Sequence, residues 1–379
     1  MKLSEEHILI RDMVRKFAEK EITPIAEEMD KDEFIPDDLF EKFAELGILG
    51  VIIPEEYGGS GFDVLAQVLI FEELGKSSAG IALCYGASAQ LFAHNLYKNG
   101  NEEQRRKYLP PICKGEKVGA LAITEPGAGS DAVGIQTSAV REGDFYLLNG
   151  SKMFITNGPI ADTIIVYAKT DKSKAAHGIS AFIVEKEFEG YSVSRRLDKM
   201  GCRCSPTGEL VFDNCVVPAE NVLGEENKGV AVMMSGLDVE RVGVAGISLG
   251  IAEAAFAESL KYAQEREQFG KPISQFQLIQ AKLADMYTNI EAARLMIYDV
   301  AKRTETEKRL RKESAAAVLF ASEMATKVCL DAVQIHGGYG YMLEFPVNRF
   351  LREAKLFEIG AGTSEIRRLL IARELLKKS

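Results

Sequence analysis

The amino-acid sequence predicts an α+β protein in three parts: a helical N-terminal domain over residues 1–117, an antiparallel β domain over 118–224 and a C-terminal helical bundle domain over 225–379. Apolar residues first recur at helical spacing; short runs rich in Val, Ile, Phe and Tyr follow between turn dipeptides, and helical spacing then returns. A chain of 379 residues also exceeds the size at which one core usually keeps growing, so two or three subdomains are expected.

The composition and charge restrict the partners that the chain can bind. The net charge of -10 argues against a nucleic-acid or anionic membrane surface. No membrane span is expected, because no apolar run reaches about 18 residues. The six cysteines lack metal-ligand or disulfide spacing, and the Cys202 and Cys204 pair has no nearby His or Cys partner. We therefore expect no metal, and a reducing bacterial cytoplasm is the predicted location.

The N-terminal part consists of amphipathic helices divided by Pro and Gly breaks. The chain opens with an N-cap at Ser4, followed by an apolar stripe at helical spacing, which predicts a folded helix and not a signal peptide. The stripe is Leu9, Met13 and Phe17. Three more helical segments read DDLFEKFAELGILG, VLAQVLIFEELGKSS and ASAQLFAHNLYKNG.

The middle part, from Val118 to about Asn221, has the pattern of a compact antiparallel β domain. Its runs are rich in β-branched and aromatic residues, and turn dipeptides such as Asn-Gly divide them. The predicted strands lie within FYLLNGSKMFITNG, DTIIVYAKT, HGISAFIVEKEFEGYSV and GELVFDNCVV.

Long helical runs with short links return after Gly224 and predict a bundle. The last run begins at Thr363 and Ser364, which are good N-caps, and Glu365 complements its first turn. Its predicted buried stripe is Leu369, Leu370 and Leu375.

A bend almost without side chains, Gly360-Ala361-Gly362, stands directly before this last helix. The free N–H groups of a helix N-terminus favour an anionic ligand. The bend is therefore a candidate binding corner.

Two glycine-rich stretches are further candidates. In ALAITEPGAGSDAVG, backbone N–H groups and the hydroxyls of Thr124 and Ser130 would suit an oxyanion, although a tight inter-strand turn explains the residues equally well. In QIHGGYGY the glycines favour a helix stop over a binding site, and His336 is favoured as a packing residue.

Glu240, in GLDVERVGVAG, has only apolar neighbours one helical turn away. A carboxylate on such a face is desolvated and should have a raised pKa, as a general base working near neutrality requires. From the residues alone, a charge pair with a distant Arg is the favoured alternative. The neighbours are Gly236, Leu237, Gly243 and Val244.

Five stretches together resemble the acyl-CoA dehydrogenases: TEPGAGSD, MFITNG, REQFGKPI, QIHGGYGY and GTSEIRR, in this order on a helical, β, helical frame. The resemblance covers essentially the whole chain, and the motifs are specific only jointly. It implies non-covalent FAD, an acyl-CoA thioester substrate, α,β-dehydrogenation, a homotetramer and reoxidation by electron-transferring flavoprotein.

The resemblance also implies the FAD-binding residues. Phe154 stands where the family commonly has Trp, and the chain contains no Trp, so aromatic but weaker flavin stacking is expected. One implied group is Leu121, Ile123, Thr124, Ser130, Phe154, Ile155 and Thr156. A second group, which would hold FAD across a subunit interface, is Arg266, Gln277, Gln334, Gly337 and Gly338. Thr363 and Glu365 are implied FAD contacts next to the glycine bend.

The implied catalytic base is Glu240. Most of the family reads Tyr-Glu-Gly-Thr where this chain has Gly360 to Thr363, and the missing Glu is the usual base. A minority, chiefly the isovaleryl-CoA dehydrogenases, carries the base on the helix with LDxER, at the position of Glu240. The resemblance then implies that Glu240 removes the α-proton, that the Ala361 N–H and a ribityl hydroxyl polarise the carbonyl, and that hydride leaves for flavin N5.

The substrate implied by these residues is a short branched acyl-CoA. Gly360 removes an aromatic ring and leaves volume for branching at the β-carbon, and Leu91 is implied on the pocket wall, with core packing equally open. Ser130, Asp238, Arg241 and Ala361 are the other implied substrate contacts. A cyclic or aryl-substituted acyl-CoA, a non-catalytic acyl-CoA-binding flavoprotein and an acyl-CoA oxidase are the alternatives.

Overall fold

The computed structural model of the chain describes residues 2–307 and 309–377. It has the predicted order of helices, sheet and helices. The N-terminal helices are α1 Glu5–Phe17, α2 Ala26–Asp32, α3 Leu39–Glu45, α4 Val64–Ser77, α5 Ala79–Gly86, α6 Asn95–Asn99 and α7 Glu102–Cys113, with π-helical turns at Ala18–Ile22 and Ala87–His94.

The cap of α1 is confirmed, whereas part of its predicted apolar stripe is wrong. The Ser4 side chain accepts a hydrogen bond from the His7 N–H. Ile10 and Val14 form the buried face, and Leu9 is 69% exposed. Helix α1 packs on α4 through a face rotated from the one that the spacing suggested, because the position of α4 decides which face is covered.

Helix α7 is not among the helical segments named from the sequence, and it carries Pro110 and Pro111 near its end. Asn101 and Gln104 form a capping box at its start, which is the local signal that the sequence does contain. The Gln104 side chain also donates to the backbone oxygens of Glu220 and Val222, which ties α7 to the end of the sheet domain.

The middle part is an eight-stranded mixed sheet in the order β6-β7-β3-β2-β4-β5-β8, with β1 also paired to β4. Most pairs are antiparallel as predicted, but β1 runs parallel to β4, and so does the start of β2 at Ser138. Strand β5 pairs with one edge of β4, so β1 and β2 both pair with its opposite edge. The chain leaves the sheet between β1 and β2, over residues 123–137. The strands are β1 Gly119–Ala122, β2 Ser138–Glu142, β3 Phe145–Thr156, β4 Thr163–Lys169, β5 Ile179–Glu185, β6 Tyr191–Arg196, β7 Thr207–Pro218 and β8 Val222–Leu223.

The C-terminal helices pack around α8, which contacts α4, α9, α10 and α11. Residues of α1, α4 and α5 share one apolar core with this bundle. A second core joins the sheet to α6, α7 and the start of α8, and a third lies within the sheet part alone. The elements are α8 Gly229–Glu265, the strands β9 Glu267–Gln268 and β10 Lys271–Pro272, then α9 Gln277–Arg303, α10 Arg311–His336, α11 Pro346–Ala354 and α12 Ser364–Leu376.

The predicted buried stripe of α12 is wrong. Leu369 and Leu375 are 61% and 65% exposed, whereas Ser364 and Arg367 are buried. Helix α12 packs against α10 through the face that carries Arg367. Hydrophobicity alone therefore selected the wrong face.

All six cysteines are buried and free. Cys204 packs singly, with its Sγ 3.6 Å from the Oγ of Ser78, the N-cap of α5. The described residues contain no group of three potential metal ligands. Within the same residues, every helix is too short or too polar to cross a membrane.

Candidate active site

Glu240 lies in the N-terminal half of α8 and is partly exposed. Burial raises the pKa of its carboxyl to about 7, although the charges of Arg241 and Arg367 act in the opposite direction. No described residue donates a hydrogen bond to this carboxylate or lies within salt-bridge distance of it. The raised pKa agrees with the expectation from its apolar neighbours and suits proton abstraction near neutral pH.

The glycine bend is a tight, partly exposed corner ahead of α12. Ala361 has a left-handed backbone with φ of 55°, and Gly362 follows with φ of 90°. The Gly360 N–H donates to the Leu356 carbonyl at 2.8 Å, and the Thr363 side chain caps α12 by accepting from the Ile366 N–H. The corner thus has a fixed backbone.

Arg367 links this corner to Glu240. Its guanidinium donates to the Gly360 carbonyl at 2.7 Å, and its charge acts on the Glu240 carboxylate. The implied base and the implied carbonyl-binding corner are therefore brought together around one arginine. The sequence analysis did not select Arg367, although an arginine one turn into a helix that follows a glycine bend was a signal.

Leu91 lies in the π-helical turn Ala87–His94 and is half-buried, while its neighbours Gln90 and Phe92 are buried. The Gln90 side chain donates to the carbonyl of Val239, directly before Glu240, at 3.0 Å. π-helical turns are frequent at functional sites. Leu91 therefore adjoins Gln90, which directly contacts the segment of α8 that carries Glu240.

The Gln90 amide packs against Gly243 of α8, and this contact was not predicted from the sequence. A Cβ at Gly243 would lie 2.7 Å from the Gln90 Oε1 and 2.8 Å from its Nε2. The same amide donates to the Gln67 side chain at 2.9 Å. Gly243 thus permits the amide to approach the backbone of α8.

Asp238 and Arg241 pair with each other on α8, with Arg241 Nη1 3.2 Å from Asp238 Oδ1. Burial raises the pKa of Asp238 and lowers that of Arg241. The Arg241 Nε is buried and has no hydrogen-bond partner among the described residues. Asp238 stands two residues before Glu240 and Arg241 directly follows it, so the pair flanks the implied base.

The loop between β1 and β2 leaves open space at two of its glycines. A Cβ built at Gly127 or Gly129 has no heavy atom within 4 Å, and Ser130 is exposed. Leu121, Ile123 and Thr124, at and after the end of β1, are half-buried. The loop has room for a ligand to approach its backbone.

A buried ion pair fixes this loop. The Glu125 carboxylate accepts from Lys152 Nζ at 2.8 Å and from the N–H groups of Gln136 and Thr137, and Lys152 also donates to the Ile123 carbonyl at 2.9 Å. Burial lowers the pKa of the fully buried Lys152 to about 8. The pair was not predicted from sequence, because its members are 27 residues apart.

Phe154 stands out from β3 beside this loop. It is 66% exposed and has a left-handed φ of 63° at an irregularity in the pairing with β7. Its neighbour Ile155 is buried and Thr156 is half-buried, while the Met153 N–H donates to the Thr124 carbonyl at 2.8 Å. An exposed aromatic ring held next to a glycine loop is a stacking surface.

The second implied group of FAD residues meets in another place. Arg266, Gly337 and Gly338 line a cavity of about 440 Å³, where the Arg266 guanidinium is 5.6 Å from the centroid of the Tyr339 ring. Gly337 and Gly338 again leave open space for a Cβ. The residues at the β1–β2 loop and Phe154 do not line this cavity, and neither do the exposed Gln277 and Gln334.

His336 packs as predicted. Its Nδ1–H donates to the Ala332 carbonyl at 2.8 Å, and its ring stacks on Tyr262 with centroids 4.2 Å apart. Glu365, in contrast, is exposed in the first turn of α12. Both groups contain open glycines, and they add the exposed Phe154 ring and an Arg266 guanidinium with no hydrogen-bond acceptor among the described residues. Such residues fit a flavin dinucleotide that contacts both groups.

Family models match nearly the whole chain and correspond to its three parts. They are the acyl-CoA dehydrogenase N-terminal domain over residues 4–116, the middle domain over 120–215 and the C-terminal domain over 227–376. The chain therefore belongs to the acyl-CoA dehydrogenase family and is an oxidoreductase. This membership confirms the predicted family, fold class and FAD cofactor.

Individual relatives are similar over most or all of their length. The chain is 48% identical over 375 residues to the mitochondrial isovaleryl-CoA dehydrogenase of Pongo abelii, covering 98% of this chain and 89% of the relative. It is 45% identical to the 3-(aryl)acrylate reductase of Clostridium sporogenes, with 100% of both chains covered. A solved chain from work on the electron transferring flavoprotein of Acidaminococcus fermentans is 48% identical, with a TM-score of 0.98 and 100% of both chains covered.

Proposed function

We propose that this enzyme dehydrogenates a short branched-chain acyl-CoA similar to isovaleryl-CoA at its α,β bond, with Glu240 as the base. The observation that carries the proposal is the position of the available carboxylate. Ala361 provides none at the glycine bend, whereas Glu240 on α8 provides one with a pKa of about 7. The similarity to an isovaleryl-CoA dehydrogenase supports the substrate class.

In the proposed reaction the Glu240 carboxylate takes the proton from the α-carbon of the thioester. That proton becomes acidic only when the carbonyl oxygen is polarised, and the Ala361 N–H is the donor proposed for it. A carboxyl with a pKa of about 7 is largely ionised at slightly alkaline pH and is a stronger base than an ordinary carboxylate. Bound FAD would accept the hydride that leaves the β-carbon.

Gly360 is proposed to set the shape of the acyl pocket, with Leu91 on its wall. A Cβ at Gly360 would meet nothing closer than the Leu356 carbonyl oxygen at 3.5 Å, so a larger residue fits there and its absence leaves volume. A β-carbon that carries two methyl groups needs such volume.

A larger acyl group is the second candidate. The same open space at Gly360, together with full-length similarity to an aryl-acrylate reductase, supports dehydrogenation of an aryl-substituted acyl-CoA. Cyclic acyl groups belong to this same alternative.

A homotetramer, reoxidation by electron-transferring flavoprotein and a cytoplasmic location belong to the proposal. The separation of the two FAD-binding groups within one chain supports completion of the site by a second subunit. The similar solved chain from work on an electron transferring flavoprotein supports a protein of that kind as the electron acceptor. The six free thiols support a reducing compartment. Exposed apolar residues that an assembly would cover are Phe269, Leu278, Tyr341 and Leu343.

The test is anaerobic bleaching of the yellow enzyme by a panel of acyl-CoAs. We expect isovaleryl-CoA to bleach the flavin faster than butyryl-CoA and faster than a phenylpropionyl-CoA. Preferential bleaching by the phenylpropionyl thioester would select the aryl alternative. A yellow protein that no thioester bleaches would contradict catalysis, and peroxide formation without an added acceptor would indicate an oxidase.

A further inference from the structure

Arg367 is a buried cation without a counter-ion. Only 1% of its surface is exposed, and its guanidinium donates to three neutral oxygens: the Ser322 hydroxyl at 3.0 Å, the Phe357 carbonyl at 2.8 Å and the Gly360 carbonyl at 2.7 Å. No carboxylate lies within 4.0 Å of it in residues 2–307 and 309–377. A buried charge normally requires an ionic partner, so the arrangement calls for a reason.

Of the carboxylates whose charges act on Arg367, Glu240 lies beyond salt-bridge distance and the other two pair with other cations. Glu323 accepts from Arg368 at 2.7 Å, and Glu358 accepts from Lys355 at 2.7 Å. Both of these cations are exposed or half-exposed. An arginine with a purely structural role would be expected to use one of these carboxylates. The positive charge of Arg367 thus remains available.

The bond to the Gly360 oxygen fixes the peptide that joins Gly360 to Ala361. This peptide is trans, so its C=O and its N–H point in opposite directions. With the oxygen held by Arg367, the Ala361 N–H points away from the guanidinium, and it donates to no acceptor among the described residues. The left-handed backbone of Ala361 costs on the order of 1 kcal/mol, and such strain persists where the surroundings impose it.

We propose that Arg367 is a positioning residue that aims and polarises the Gly360–Ala361 peptide, so that the Ala361 N–H stabilises the enolate oxygen of the substrate. The inference rests on the proposed function. A charged donor on the carbonyl side of a peptide draws electron density from its N–H and makes that N–H a stronger donor. The charge itself also favours the negative oxygen that develops beyond the peptide.

The Arg367→Met variant tests this role, with Arg367→Lys as the variant that keeps the charge and Arg368→Met as the matched control on the exposed face. Two ligands separate enolate stabilisation from general damage. Acetoacetyl-CoA has an acidic α-proton and can bind as the enolate, whereas S-butyl-CoA is a thioether without a carbonyl. Their affinities are read from the visible absorbance of the bound FAD, and turnover is measured on isovaleryl-CoA.

We expect Arg367→Met to lower kcat by about 100-fold and to weaken acetoacetyl-CoA by about 10-fold or more, because the loss of one oxyanion donor has effects of this order. S-butyl-CoA affinity should stay within about threefold. The losses in Arg367→Lys should lie between those of Arg367→Met and the wild type, and Arg368→Met should match the wild type. Near-normal turnover of Arg367→Met, or equal losses for both ligands, would overturn the role.

The pH profile gives a readout that a packing defect would not move. The charged groups that act on Glu240 are Arg241 on its own helix and Arg367 on α12, while Tyr167 on β4 feels its charge in return. Since the charge of Arg367 lowers the pKa of Glu240, Arg367→Met should shift the rising limb of kcat to higher pH, and Arg367→Lys should not.

Failure of folding does not leave the role undecided. If Arg367→Met lost FAD, Arg367→Lys would decide, because a lysine cannot reproduce three bonds and should still weaken acetoacetyl-CoA selectively. Wild-type behaviour of Arg367→Lys with both ligands would then overturn the proposal. If no thioester bleached the flavin of the wild-type enzyme, the proposed function would be contradicted. The comparison of acetoacetyl-CoA with S-butyl-CoA would still test Arg367, because it needs no turnover.

Discussion

Burial acts to raise the pKa of both Glu240 and Glu125, but the final shifts of the two pKa values run in opposite directions. Glu240 accepts no hydrogen bond from the described residues, and burial raises its pKa to about 7. Burial would also raise the pKa of Glu125, but the charge of Lys152 and the Gln136 N–H lower it. The first site keeps a carboxylate ready to bind a proton, and the second fixes a loop.

A raised pKa alone does not identify a base. Burial also raises the pKa of Glu72 to about 7, but this carboxylate accepts from Tyr298 at 2.6 Å and Arg294 at 2.9 Å between α4 and α9. Geometry separates the two residues, because the partners of Glu72 occupy its oxygens. Glu240 has oxygens free for a substrate.

The largest effect is expected at Glu125, the carboxylate that fixes the loop between β1 and β2. Lys152→Met should leave the Glu125 charge buried without its partner and lower the free energy of unfolding by about 3–5 kcal/mol. Urea unfolding measures this loss. The double variant Lys152→Met with Glu125→Gln should recover part of it, and a single variant as stable as the wild type would contradict the role of the pair.

Glu240, the proposed base, should show the reverse pattern. Glu240→Gln is expected to keep the fold and the FAD but to lower kcat on isovaleryl-CoA by about 100-fold or more, since a general base is removed. Glu72→Gln is the matched control: its pKa is similar, and its kcat should change little. Similar kcat losses in both variants would remove the distinction between them.

Gly360→Tyr tests whether the corner sets the substrate shape. The added ring should overpack a branched acyl chain, at a cost of about 1–3 kcal/mol in the barrier for isovaleryl-CoA, while the flavin stays bound. The backbone itself accepts a Cβ there, with its nearest contact at 3.5 Å. The ratio of turnover on butyryl-CoA to that on isovaleryl-CoA should rise, and an unchanged ratio would exclude a steric role.

Moving the base tests whether both positions reach the same carbon. Glu240→Gly combined with Ala361→Glu should recover about 10-fold of the activity lost in Glu240→Gly, but only in part, because a base displaced by about 1 Å loses much of its effect. Recovery should favour butyryl-CoA over isovaleryl-CoA. If neither substrate were rescued in a double variant that still binds FAD, the corner would not face the α-carbon.

The smallest effect is the pH dependence. Because the pKa of Glu240 is raised, the base is protonated at a pH where an ordinary carboxyl is ionised. We expect kcat/KM to rise about 10-fold per pH unit below 7 and to level off above it. Glu240→Gln should lose this limb, and a limb centred near pH 4.5 would indicate a solvated base.

Local sequence contained much of the site. The caps at Ser4 and Thr363, the order of helices and strands and the apolar surroundings of Glu240 follow from preferences that act over a few residues. The resemblance to the family supplied the proposed FAD-binding residues, and the family models confirm the family itself. Whether Glu240 is the base remains a prediction.

The amino-acid sequence was enough to predict most of the helices and strands, the bend before α12 and the carboxylate on an apolar face, because backbone propensity and side-chain periodicity are local. Tertiary structure alone decided which face of α12 is covered, that Arg367 reaches the Gly360 carbonyl, and that Lys152 neutralises Glu125. It also decided that Gln90 meets Val239, 149 residues away. Such contacts depend on how packed elements close against one another, and burial and charge pairing then set the pKa of each carboxylate.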